Sequence, residues 1–144
     1  MGSHMKLEKH VVSLETAQKL NKLGCPWEAL FWWYKKDSQW KIGYMDDLKI
    51  PISNDTIPAY TSSELSEMLP KRASWEYEDL LLSLRLEIYP LNTKHGWLVN
   101  YIYRDRDINY NPYLEEADTL PDALGLMLCY LIENKLIILN DIDS

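Results

Sequence analysis

The sequence predicts an α+β domain: an antiparallel sheet of about four strands, built from two hairpins, with about three helices packed on one face. Three observations carry that expectation. Segments opening near Ser13, Thr61 and Asp118 each set a capping residue ahead of apolar residues at helical spacing. Residues 80–90, LLLSLRLEIYP, alternate apolar and polar side chains as a half-buried strand does. An aromatic run, PWEALFWWYKK, leads through a polar turn into a second alternating run, WKIGYM.

The opening MGSHM reads as the remnant of an expression tag, so residues 1–4 are set aside and residues 5–144 are read as one domain. Ser13 is the expected N-cap of the first helix, Leu14, Ala17 and Leu20 form its apolar stripe, and Gly24 suits the C′ position. β-favouring aromatics then argue for a strand ending at KKDSQ, which Trp40, Ile42 and Tyr44 answer as a hairpin partner. Residues 46–59 are expected to form a loop. Thr61 and Glu64 have capping-box spacing, Tyr60 and Leu65 occupy the staple positions, and Pro70 stops the second helix. Leu82, Leu84, Leu86 and Ile88 share one strand face, opposite Ser83, Arg85 and Glu87. NTKHG turns the chain, and Trp97, Val99, Tyr101 and Tyr103 share one side of the returning strand. Asp118 or Thr119 then caps a last helix with Pro121 in its first turn. Leu120, Leu124, Met127, Leu128, Leu131 and Ile132 lie on its core stripe, and Asn134 is expected to end it in a left-handed conformation.

A hydrophobic fraction of 47% is that of a globular chain with a real core. The net charge of -7 opposes a phosphate backbone, and the Lys and Arg residues are scattered, so nucleic acid is not an expected partner. Cys25 and Cys129 stand far apart in apolar surroundings, which fits a reduced, cytoplasmic setting. Neither an export signal nor a membrane span is expected, which makes the sequon at Asn54 a coincidence.

Catalytic chemistry finds little material. The sequence has no HExxH, CxxC, GxSxG or glycine-rich phosphate loop, and His10 and His95 stand alone. Asp105, Asp107 and Asn109, with Glu116 at the twelfth position, have the spacing of a calcium loop. Tyr110 replaces the glycine that such a loop needs, and Pro112 stiffens it, so a polar connection between strand and helix is expected. No cofactor and no metal are expected.

Six Trp and ten Tyr against one Phe leave aromatic rings as the candidate binding groups. Side chains alternate along a strand, so Trp32 and Tyr34 face away from Phe31 and Trp33. The expectation places Phe31 and Trp33 beneath the helices and Trp32 and Tyr34 on an open sheet face. Trp40 would approach them from the neighbouring strand, with Arg85 and Arg104 as nearby cations. Core packing, or cover by the N-terminal arm or by a second copy in a homodimer, is the competing account of these rings.

IPAYTSSELSEMLP (Ile57 to Pro70) and ADTLPDALGLMLCYLIENKLI (Ala117 to Ile137), with GWLVNYIY between them, resemble a group of small proteins encoded in bacteriophages and prophages. The P-A-x-T and A-D-T-x-x-D-A-L helix starts carry the resemblance, which covers roughly the C-terminal half. It implies an accessory protein of a phage or mobile element acting inside a bacterial cell, and it brings no catalytic residues to this chain. The expected function is non-enzymatic binding of a host or phage protein through an aromatic surface. The alternatives are a binder of a small, nucleotide-type ligand, or an enzyme of unrecognised type.

Overall fold

Each of the three helices begins where the chain offers a side-chain oxygen to a free backbone N–H. Ser13 caps α1 (Leu14–Lys22), Thr61 caps α2 (Ser62–Met68) and Thr119 caps α3 (Leu120–Glu133). The capping box is complete, with Thr61 Oγ1 accepting from Glu64 N–H and Glu64 Oε1 accepting from Thr61 N–H. Gly24 takes a φ of 82° just past α1, as expected of C′. At the end of α3, Lys135 rather than Asn134 adopts the left-handed conformation. The computed structural model describes residues 7–44, 55–92, 95–106 and 108–137. The tag remnant, the Asn54 sequon, Met45, Asp107 and the tip of the turn at 93–94 lie outside the described residues.

Seven strands are described, divided between two antiparallel sheets. The first contains β1 (Phe31–Lys36), β2 (Gln39–Tyr44) and β3 (Thr56–Ala59) in the order β2-β1-β3. The second contains β4 (Arg72–Tyr77), β5 (Leu80–Pro90), β6 (Trp97–Asp105) and β7 (Ile108–Ala117) in sequence order. The α+β class, the three helices and the two expected hairpins stand. The sequence reading missed β3, β4 and β7, and it joined into one sheet strands that belong to two. Residues 108–116, read as a loop, are strand, and an extended chain cannot wrap its alternate side chains around one cation.

One continuous core unites the layers. It holds Ile57 of the first sheet, Leu20, Leu65, Leu124 and Leu128 of the helices, and Leu84, Val99 and Tyr101 of the second sheet. α1 and α3 lock together where Ser13 N–H donates to Asp122 Oδ1 at 2.6 Å. Trp33 reaches the N-terminal arm, its Nε1–H donating to the Val12 carbonyl at 3.0 Å.

The second sheet is strongly curled. A flat sheet would hold its outer strands about 14 Å apart, three inter-strand spacings. Yet Tyr113 on β7 donates to the Ser74 carbonyl on β4 at 3.1 Å, and the Trp75 and Tyr110 rings lie 5.6 Å apart. A bulge in β7 keeps Tyr110 and Tyr113 on the same side, opposite Tyr103 and Tyr101. The concave side therefore takes the aromatic rings and the core, and the convex side is left outward.

Candidate functional site

Strand register decides which side chains share the outer face of the second sheet. Arg72 of β4 pairs with Arg85 of β5, which pairs with Ile102 of β6. Two residues along β5, Glu87 pairs with Asn100, which in turn pairs with Leu114 of β7. Ser83, Tyr89, Leu98 and Arg104 share that face by alternation. Leu81 (74% exposed), Tyr89 and Leu114 stand open on it, while Asn100 and Ile102 are buried beneath their neighbours' side chains.

Glu87 organises the face. Its Oε2 accepts from Arg85 Nη2 at 2.8 Å and from Arg104 Nη1 at 2.7 Å. Tyr89 donates its hydroxyl to Glu87 Oε1 and accepts from Arg104 Nη2 at 3.0 Å. The Glu87 side chain is only 12% exposed, whereas those of Arg85 and Arg104 are 57% and 46% exposed. The carboxylate is sunk and the guanidiniums stand above it. Arg72, Ser83, Arg85, Ile102, Tyr103 and Arg104 line a shallow depression of about 190 Å³. Asn100 Oδ1 is buried with no hydrogen-bond partner, an exception for a core polar atom.

The expected binding residues therefore divide. Arg85 and Arg104 come together, seventeen residues' separation notwithstanding between Glu87 and Arg104. The aromatic group Trp32, Tyr34 and Trp40 does not form an open cluster. Trp32 is 6% exposed, and its Nε1–H donates to the Ala29 carbonyl at 3.1 Å. Its strand partners are Pro58 and Gly43, and Tyr34 is half-buried between Thr56 and Lys41. Trp40 pairs with Lys35, which puts it on the Trp33 side, and it packs against the core. Alternation had shown correctly that Trp32 and Tyr34 share a side; it carries no information on whether that side is covered.

Arg72, Ser83, Glu87 and Tyr89 join the site without a functional signal in the sequence, although alternation places Ser83 and Glu87 on the polar face with Arg85. The alternation of RASWEY, with Ala73, Trp75 and Tyr77 on one side, was the available signal for Arg72. A second aromatic group, Trp75, Tyr77, Tyr103 and Tyr110, closes the concave side with ring centroids 4.9–6.4 Å apart.

The thiols are placed against chemistry. Burial pushes Cys25 up to about 11 and Cys129 up to about 12, so both are protonated and weakly nucleophilic near neutrality. Burial likewise raises the hydroxyls of Tyr60 and Tyr101, which donate to the carbonyls of Trp27 and Pro70. Among the described residues, no group of three His, Cys, Asp or Glu side chains is arranged to hold a metal ion. No described helix is long and apolar enough to cross a membrane. Comparison with protein-family models, with curated proteins and with solved structures returns no match.

Proposed function

We propose that this protein is a non-catalytic binding protein that engages another protein through the outer face of its four-stranded sheet. One observation carries the reading: exposed Leu81, Tyr89 and Leu114 share a continuous face with arginines already oriented by Glu87. Tyrosine and arginine beside aliphatic side chains are the composition of protein interfaces, where a few oriented anchors supply most of the affinity. The anchors here are held before any partner arrives, which lowers the entropy lost on binding.

A nucleotide-type ligand is the second reading, favoured by the three arginines around the depression. At about 190 Å³ and open to one side, that depression is smaller than the roughly 300–1,000 Å³ typical of small-molecule sites. The broad, open convex face fits a macromolecule better. The resemblance to phage and prophage proteins supports a host or phage protein as the partner, met in the cytoplasm of a bacterial cell.

Capture from bacterial lysate with chemical cross-linking tests the reading, using the wild type beside a Leu81→Ser/Leu114→Ser variant. Both residues are exposed, so circular dichroism should show an unchanged fold. The expected outcome is a cross-linked partner that the variant loses. A partner held equally by both chains would refute the use of this face.

A further inference from the structure

We infer that Arg72, Arg85 and Arg104 receive the carboxylates of an acidic segment of the partner protein. This rests on the face reading above and names the chemistry of what binds there.

The register of the sheet contains a repulsion. Arg72 and Arg85 are direct cross-strand partners on the same side of the sheet. Like charges so placed destabilise an antiparallel pair. Glu87 offsets Arg85 and Arg104 through one shared oxygen, whereas Arg72 has no ion pair among the described residues. Glu76 beside Leu81 and Glu116 beside Leu98 carry negative charge elsewhere on the face, but at the depression itself three guanidiniums meet only the Glu87 carboxylate, a local excess of positive charge on a chain whose net charge is -7. An incoming anion between Arg72 and Arg85 relieves what the fold leaves unbalanced.

The choice of residue points the same way. Three of the chain's four arginines line this one depression, and no lysine shares the face among the described residues. Solubility would be served by lysine. The planar guanidinium, with its fork of N–H donors, is the group that grips a carboxylate or phosphate with two parallel bonds. The exposed Ser83 hydroxyl adds a neutral donor to the lining.

Shape and surroundings choose between those anions. The open depression, flanked by Leu81 and Tyr89, suits acidic side chains interspersed with apolar ones on an extended segment.

The test is titration of pentaglutamate peptide into the ¹⁵N-labelled chain, read at the arginine Nε–Hε resonances, with pentaglutamine and inorganic phosphate as parallel arms. Pentaglutamate should shift the signals of Arg72, Arg85 and Arg104 saturably, leave Arg106 unmoved and lose effect as salt rises. Pentaglutamine should do nothing. Arg72→Ala should weaken binding about tenfold, the scale of one charge-assisted hydrogen bond. Arg72→Lys, which keeps the charge without the fork, should recover only part of it. Unmoved arginine signals, equal shifts at Arg106, or wild-type affinity in Arg72→Ala would each overturn the inference. So would saturation by phosphate without saturation by pentaglutamate, which would mark a small-anion site instead. The lysate experiment separates the two levels of the argument. A partner lost by Leu81→Ser/Leu114→Ser but kept by Arg72→Ala leaves the face standing and removes the acidic segment; a partner kept by both removes the two together.

Discussion

Gly125 marks a close approach of α3 to α1 and the segment before it. A Cβ at this position would lie 2.8 Å from the Thr16 methyl and 3.0 Å from a Val12 methyl. Both neighbours are buried and β-branched, so neither swings aside cheaply. Two effects of opposite sign meet in Gly125→Ala. Helix propensity favours alanine by about 1 kcal/mol, while overpacking a tight core costs about 1–3 kcal/mol. The steric cost should win, because Ser13 is tied to Asp122 in the same crossing and α1 cannot simply slide away. Chemical denaturation should therefore show a lower midpoint for Gly125→Ala, and a gain in stability would mean that the helices cross more loosely than described.

Among the elements, two of the short hairpins close through two residues in the left-handed region: Asp37 and Ser38 between β1 and β2, Glu78 and Asp79 between β4 and β5. Those are the backbone angles of a type I′ turn, whose twist matches the flanking strands. Glutamate is poorly suited to such angles, which cost a side-chain-bearing residue about 1 kcal/mol or more. Glu78→Asn/Asp79→Gly should raise stability by about 1 kcal/mol, measurable as a higher melting temperature. No gain would place the strain elsewhere. The same turn explains what the sequence concealed. KKDSQ announces a turn because aspartate and serine are turn residues, whereas EYEDLL does not, and β4 was lost with its turn. β7 hid for other reasons. Its bulge puts Tyr110 and Tyr113 on one side at a spacing of three, which breaks the alternation, and Pro112 sits where only an edge strand tolerates it. The helices were legible because capping chemistry is local: Thr61 and Glu64, or Thr119 and Pro121, reveal themselves within four residues. Arg85 and Arg104 were legible as outward residues. Their convergence on Glu87 was not, since it depends on the pairing of β5 with β6.

At the scale of the molecule, buried acids set the response to alkali. Cys25 and Cys129 lose protons near 9.0 when unfolded but hold them to about 11 and about 12 when folded, and burial raises Tyr60 and Tyr101 above their ordinary 10.0. Their raised folded values mean that this stabilisation is fully present below about pH 9. It is lost as pH climbs toward 12, because the unfolded chain releases protons that the folded chain retains. The urea midpoint should fall steadily from pH 9 to pH 11. A constant midpoint over that range would contradict the burial of these groups.

The curl of the second sheet has a further effect, on self-association. A long flat sheet exposes a row of unpaired N–H and C=O groups along each outer strand, and such rows recruit other chains into fibres. Here β4 and β7 are drawn toward each other across the concave side, and the Tyr113 hydroxyl occupies the Ser74 carbonyl of β4. Arg72 and Glu76 place charges along β4, while Pro112 and the bulge interrupt β7. A chain with so many aromatic rings thus guards the margins of its larger sheet against edge-to-edge growth, and the broad convex face, rather than the strand edges, is left open to the proposed partner.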